Sequence, residues 1–236
     1  MNVALNPNKN IYDKFLPLED KVQEWLDTPV GFLDTELQPT YHLDMALNGS
    51  PLANFINQIQ LCESNADISC TSFANVIKGF DKNITVRDIM STYPYPNTLV
   101  VFEVNRKYLK LALERCASYF DYNNGNITIS DRFLKPKVEH YNYDYFSNIN
   151  YTFGITKEVG DRVTSIVYNG KELDDNTTLN LVMNNYRVSG AGGYEFYTEC
   201  KTVQEILMEM PDIIIDYFKN NKNVTVDKSK YLTVIS

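Results

Sequence analysis

The sequence predicts an α+β fold with a mixed sheet and helices packed in layers, on three observations. Segments with apolar residues at helical spacing intermingle with β-branched and aromatic runs, without the strict βαβ alternation of a parallel sheet. Capping signals mark helix starts, notably Ser50-Pro51 and the pair Thr85 and Asp88. Turn signals at Asn124-Gly125, Asn169-Gly170 and Asp174-Asp175-Asn176 separate the strand-like runs. At 236 residues, 44% hydrophobic and 22% charged, the chain reads as one globular domain able to bury a sizeable core.

In chain order, residues 1–16 are polar with scattered aromatics and read as a surface segment or linker. Pro17 suits a first helical position, and Val22, Trp25 and Leu26 follow at helical spacing until Asp27-Thr28-Pro29. Residues 30–33 read as a short strand, and 34–47 are ambiguous. Ser50 caps the clearest helix, with Pro51 at its first position and Leu52, Phe55, Ile56 and Ile59 on one stripe. A buried strand is expected at 66–71 and a short helix from Thr85 to near Thr92. The segment Tyr93-Pro94-Tyr95-Pro96-Asn97 is stiffened by two prolines, which restrict φ and bias the residues before them to extended conformations.

Residues 98–104 are β-branched and aromatic and read as a core strand. Asn105 caps the next helix, whose face carries Tyr108, Leu109, Ala112, Leu113, Cys116 and Phe120. Strands are expected from Ile127, over 150–155 after the aromatic run His140 to Phe146, over 162–168 and over 178–183. The spacing predicts helix over 203–210 and 211–220, then a last strand over 231–235.

The net charge of −8, with 22 Lys plus Arg against 30 Asp plus Glu, disfavours nucleic-acid or anionic-membrane partners, which demand a basic face. No apolar run approaches the roughly 20 residues that span a bilayer, and the first ten residues have neither signal-peptide nor anchor character. Cys62, Cys70, Cys116 and Cys200 show no metal-ligand spacing; buried free thiols are the preferred reading and one disulfide the alternative. The two histidines, His42 and His140, lie in no spacing that would put both on one metal, and Ser189 lies in no nucleophile elbow. The expectation is a chain that binds, with no catalytic and no metal-ligating residues of its own.

Binding chemistry concentrates in Asn184-Asn185-Tyr186-Arg187-Val188-Ser189-Gly190-Ala191-Gly192-Gly193-Tyr194. Glycines let backbone approach a ligand, Tyr186 offers a flat π face and Arg187 a fork of donors, which suits a flat, polar, even anionic ligand. A mobile glycine-rich turn is the competing reading of this stretch.

Five motifs in order, Ser50-Pro51-Leu52-Ala53-Asn54, Ala66-Asp67-Ile68, Tyr95-Pro96-Asn97-Thr98, Leu113-Glu114 and Asn184-Asn185-Tyr186-Arg187 with its glycines, resemble the C-terminal domain of the bacterial 5'-nucleotidase family. Within it the chain is most similar to the 2',3'-cyclic-nucleotide 2'-phosphodiesterase/3'-nucleotidase branch. The resemblance runs from about residue 20 onward and implies that residues 17–236 are a single nucleotide-recognition domain. It further implies a hydrolase whose catalytic His and Asp residues and two divalent metal ions sit in an N-terminal metallophosphoesterase domain of the same polypeptide, absent from this chain. The chain alone is then expected to be inactive, and the full-length protein to act in the periplasm, at the cell wall or otherwise outside the cell.

By the same resemblance, Tyr95 and Tyr186 clamp the base of a nucleotide or nucleoside, and Asn97, Arg187, Gly190, Gly192 and Gly193 complete the substrate pocket. Two tyrosines packed into their own core is the competing reading. Arg187 is expected to point away from Tyr186, on the assumption of an extended segment. One departure stands out: where 5'-nucleotidases proper carry Gly-Gly-Gly-Ile-Arg, this chain has Thr71-Ser72-Phe73-Ala74-Asn75, which favours the cyclic-nucleotide branch. Lys78 either replaces part of the lost charge or is a surface lysine. A freestanding nucleoside- or nucleotide-binding module is the alternative function, and a purely structural module without ligand a more distant third.

Overall fold

The computed structural model describes residues 8–235. The first half contains α1 (Lys9–Leu26), β1 (Pro29–Leu33), α2 (His42–Asn48), α3 (Pro51–Ser64), β2 (Ile68–Thr71), β3 (Asn83–Thr85), α4 (Val86–Thr92), β4 (Leu99–Asn105) and α5 (Arg106–Ala117). The second half contains β5 (Phe120–Asn123), β6 (Asn126–Ile129), β7 (Tyr145–Ser147), β8 (Asn150–Gly154), β9 (Val163–Tyr168), β10 (Lys171–Glu172), β11 (Thr178–Asn184), α6 (Asn185–Val188), β12 (Thr202–Ile206), α7 (Met210–Asn220), β13 (Asn223–Val224) and β14 (Leu232–Ile235). Single 3₁₀ turns form at Asp131–Phe133, His140–Asn142 and Glu195–Glu199.

The central sheet has five strands in the order β12-β4-β11-β2-β7. It is mixed: β4 and β11 run antiparallel, β11 and β2 parallel, and β2 and β7 antiparallel. A four-stranded sheet, β10-β9-β8-β14, and smaller sheets β13-β1-β3 and β5-β6 lie around it. The α+β class with a mixed sheet is as expected.

Local chemistry sets the helix starts. The Ser50 hydroxyl accepts from Ala53 N, and α3 buries Leu52, Phe55, Ile56 and Ile59 completely. Its other side is polar yet also buried. There Asn57 Nδ2 donates to Tyr145 O and Ser147 Oγ, both at 2.9 Å, and Ser69 Oγ donates to Asn57 Oδ1 at 2.9 Å, so the Asn57 amide is satisfied by the sheet that α3 covers. Thr85 and Asp88 form a full capping box at the start of α4. Glu114 on α5 accepts from the backbone N–H groups of Arg162 and Val163 at 3.0 and 2.8 Å, which docks the four-stranded sheet onto α5.

Two expectations are corrected. The helix expected from Pro17 starts at Lys9, because Asn8 caps it by accepting from Asn10 and Ile11 N–H; Pro17 lies inside. The helix has no buried residue and is tied to α4 through Arg87, which donates to Asp27 and Gln23 at 2.7 Å each. The part of the expected surface segment at 1–7 lies outside the described residues. The helix expected over 203–210 is instead β12, paired with β4 from Thr202↔Phe102 to Ile206↔Leu99. An open edge on β4 offers that segment backbone partners that outweigh its helical spacing. The ambiguous stretch 34–47 contributes an isolated bridge, Leu37↔Phe80, and α2.

All four cysteines are free thiols, with Cys70 and Cys116 buried, Cys62 exposed and Cys200 half-buried. No helix among the described residues is long and apolar enough to cross a membrane.

Candidate functional site

Register in the central sheet brings the sequence motifs to one end. Leu99 at the start of β4 pairs with Asn184 at the end of β11, and Asn185 N donates to Thr98 O at 2.9 Å. The stiff Tyr93 to Asn97 loop and the Tyr186 segment are therefore neighbours, although some ninety residues apart in sequence. Because β2 is parallel to β11, Ser72 emerges at the same end, and the Thr71↔Tyr145 pairing puts the turn before β7 there as well. A cavity of about 250 Å³ opens between these segments, lined by Ser72, Tyr93, Tyr95, Asn97, Lys137, Tyr141, Asn184 and Tyr186.

Tyr95 and Tyr186 are 45% and 42% exposed, so both present ring surface to solvent instead of packing into the core. Asn97 is half-buried; its backbone carbonyl accepts from Met210 N at 2.8 Å, which fixes the loop from below and leaves the side-chain amide at the cavity. Lys137 is the cation of the lining, and no carboxylate lines it. Its Nζ lies 3.2 Å from the Tyr141 hydroxyl, which in turn donates to Glu139 at 3.2 Å.

Arg187, Gly190, Gly192 and Gly193, expected as ligand contacts, do not line this cavity. Tyr186 and Arg187 sit in α6, whose cap Asn184 accepts from Arg187 N at 2.9 Å, so the segment is helical where an extended one was assumed. The helical turn swings the guanidinium inward, where it is 1% exposed and faces Asp144, 2% exposed, with Nε 2.9 Å from Oδ2. Its Nη2 donates to Asp144 Oδ1 at 2.9 Å and to Tyr141 O at 2.8 Å, and Nη1 donates to Ala191 O at 2.8 Å. The guanidinium carbon stands 4.2 Å from the Tyr194 ring centre and 5.7 Å from that of Tyr186, so it backs the exposed ring from inside the protein. Burial pushes the Arg187 pKa down, and the Asp144 carboxylate overcomes this and leaves it raised, so the guanidinium stays a cation.

The glycines serve this packing. A Cβ on Gly192, at φ +79°, would meet Asn142 Oδ1 at 2.1 Å and Arg187 Nη1 at 2.6 Å. One on Gly193, at φ +90°, would meet Arg115 Nε at 2.5 Å. Arg115 donates from Nε to Gly192 O at 2.9 Å and stacks over Phe133 at 4.2 Å, so the loop is held between two arginines. The density of glycine marks close approach to these cations, with the left-handed backbone that glycine adopts freely.

Sequence reasoning missed Ser72, Tyr93, Lys137, Tyr141 and Asn184. Tyr93 and Asn184 open segments that were singled out, whereas Lys137 carried no signal. Lys78 pairs with Asp88 at 3.1 Å and is outside the cavity lining, which fits a surface lysine.

The histidines, unrelated by spacing, stack on each other with ring centres 3.9 Å apart and an interplanar angle of 19°. Asn75 joins them: its carbonyl is 2.9 Å from His42 Nε2 and its Oδ1 accepts from His140 N at 3.0 Å. The Tyr119 hydroxyl lies 2.7 Å from His140 Nδ1. Burial, reinforced by His42, pulls the His140 pKa from 6.5 down to about 4.

The family model described as "5'-nucleotidase, C-terminal domain" matches residues 29–199. The trifunctional nucleotide phosphoesterase of Bacillus subtilis is 24% identical over 154 residues, 60% of this chain and 10% of that protein. The 2',3'-cyclic-nucleotide 2'-phosphodiesterase/3'-nucleotidase of Salmonella typhimurium is 29% identical over 132 residues, 50% of this chain and 20% of that protein. Among solved structures, a Staphylococcus aureus protein described as a 5'-nucleotidase, in complex with alpha-ketoglutarate, superposes with a TM-score of 0.90 at 30% identity. The match covers 99% of this chain and 45% of that one. The chain thus aligns with only a tenth to a fifth of these curated relatives and under half of the solved one.

Two predictions follow from the polar interior. Arg187→Met strands the Asp144 carboxylate in the core and should cost about 3–5 kcal/mol of stability in urea unfolding, with part recovered in the Arg187→Met/Asp144→Asn double variant. His140 is held neutral in the fold, so below its ordinary pKa the unfolded chain takes up a proton that the folded chain refuses until about pH 4. Stability should therefore fall as pH drops from 6.5 towards 4, and unfolding curves for His140→Phe should show a shallower fall across that window.

Proposed function

The chain belongs to the 5'-nucleotidase C-terminal domain family, and from that premise we propose that it recognises the nucleotide base for a metal-dependent nucleotidase or cyclic phosphodiesterase whose catalytic groups lie elsewhere in the polypeptide. The observation that carries this reading is the pair of half-exposed rings, Tyr95 and Tyr186, at one cavity with Asn97. Stacking on an aromatic face is worth about 1–3 kcal/mol per base and accepts any base, because every base has a π face. A pocket built on it tolerates varied nucleotides.

Charge supports the same assignment. In a chain of net charge −8, the cavity lining carries a lysine and no carboxylate, which favours an anionic ligand. Lys137 reaches the cavity from a segment other than the one that carries Gly-Gly-Gly-Ile-Arg in 5'-nucleotidases proper. The replacement of that motif by Ser72 and a buried Phe73 supports 3'- or cyclic-nucleotide substrates over 5'-nucleotides.

Two divalent metals are implied by the resemblance, and the residues here do not fit them. Among the described residues, no group of three or more His, Cys, Asp or Glu could hold a metal ion. On this reading the bond-breaking step belongs to the implied metallophosphoesterase domain, and this chain binds and orients. The same reading carries with it action outside the cytoplasm, in the periplasm or at the cell wall, on the resemblance alone.

Calorimetric titration with adenosine tests the clamp. Tyr95→Ala and Tyr186→Ala should each weaken binding by about 1–3 kcal/mol and leave the melting temperature nearly unchanged, since exposed rings contribute little to the core. Binding that is indifferent to both substitutions would refute the assignment. Incubated with Mn²⁺, Mg²⁺ or Zn²⁺, the purified chain should release no phosphate from 2',3'-cyclic AMP; release abolished by a substitution within the chain would show catalysis here after all.

A further inference from the structure

The stacking rings explain how a flat ring is held and leave open how one ring is told from another. Directional readout needs fixed donors or acceptors at the ring's edge, and an orphaned polar group marks where one is missing its partner. Among the described residues, the buried side-chain atoms without a hydrogen-bond partner are Gln60 Nε2, Thr71 Oγ1, Tyr93 OH, Asp144 Oδ2 and Tyr197 OH. Of these residues, Tyr93 lines the cavity.

Tyr93 is 2% exposed and follows α4 on the proline-stiffened loop, two residues before Tyr95. Two cavity-lining amides, Asn97 and Asn184, flank its hydroxyl. Burial raises the Tyr93 pKa and hydrogen bonding by the Asn97 and Asn184 side chains opposes that rise, yet neither amide meets full hydrogen-bond geometry with the hydroxyl, which leaves it open to a ligand acceptor. Asn184 spends its Oδ1 on Arg187 N at 2.9 Å, which turns its NH₂ towards the remaining space. The cavity lining thus combines an O–H donor, an N–H donor and the adaptable Asn97 amide with two exposed aromatic rings.

We propose that Tyr93, with Asn97 and Asn184, forms an edge-reading floor in which the Tyr93 hydroxyl donates to a ring-nitrogen or carbonyl acceptor of the heterocycle stacked on Tyr95 and Tyr186. Tyr93 is then a specificity-determining residue. The inference rests on the base-clamp reading and goes beyond it, since stacking alone predicts indifference to the edge. In the free protein the hydroxyl is buried without a geometrically complete hydrogen bond, and the ligand would supply one.

The test is Tyr93→Phe, which removes one oxygen and keeps the ring that packs beneath the loop. Calorimetric titrations of the wild-type chain and the variant would use adenosine and its 1-deaza, 3-deaza and 7-deaza analogues, each lacking one ring acceptor. The expected result is about tenfold weaker adenosine binding by Tyr93→Phe with an unchanged or raised melting temperature, because an unpaired buried hydroxyl has been removed. One deaza analogue should bind the wild type about tenfold more weakly than adenosine, and Tyr93→Phe should not distinguish that analogue from adenosine. Equal adenosine affinity in the two proteins, or a deaza series that the wild type does not discriminate, overturns the proposal while the clamp still registers in Tyr95→Ala and Tyr186→Ala. A lowered melting temperature with affinity lost equally for all four ligands would mark a merely structural tyrosine and overturn it too. If the wild type binds none of them, or binding ignores Tyr95 and Tyr186, the clamp reading itself has failed.

Discussion

The buried ion pair of Arg187 and Asp144 is the constraint on which the site depends. A guanidinium this deep in the protein is tolerable only if its donors are matched, and here a carboxylate and the carbonyls of Tyr141 and Ala191 take them. The partners come from two segments, Tyr141 and Asp144 from the turn before β7 and Ala191 from the glycine loop, while Arg187 itself follows the end of β11. One cation therefore fixes the distance between the segment carrying Tyr141 and the segment carrying Tyr186. Removing it would free both walls of the cavity at once.

From this follows a division of labour among the loops. The prolines stiffen the Tyr95 side, while the Tyr186 side is held by electrostatics and by glycines that let the chain close over Arg187 and Arg115. The exposed rings are thus set on rigid supports of two different kinds, so little ordering is left to be done on binding. A tyrosine backed by a buried cation also differs from one backed by solvent, since the guanidinium near its ring is fixed and desolvated.

Polar groups elsewhere in the interior do comparable structural work. Asn57, Ser69 and Ser147 bind α3 to β2 and β7, and Glu114 fastens α5 to the start of β9 through two backbone N–H groups. Such bonds are directional where apolar packing is not, so they fix the register in which the layers meet. That register carries Ser72, Asn97, Tyr141 and Tyr186 to the same end of the sheet.

Much of the local architecture was legible in the sequence. Ser50-Pro51, the Thr85 and Asp88 box and Asn105 act on atoms within a few residues, so their chemistry is written where it operates. The Tyr95 and Tyr186 motifs were legible for the same reason, as compact groups of aromatic, proline, asparagine and glycine residues. Tertiary structure alone decided that Arg187 turns inward, because its partner Asp144 is 43 residues away and nothing in either neighbourhood encodes the pairing. It likewise turned 202–206 into an edge strand, stacked two histidines from unrelated segments, and set Tyr93 and Lys137 at the cavity. In each case the deciding contact joins residues far apart along the chain, and local pattern carries no information about a partner that only folding supplies.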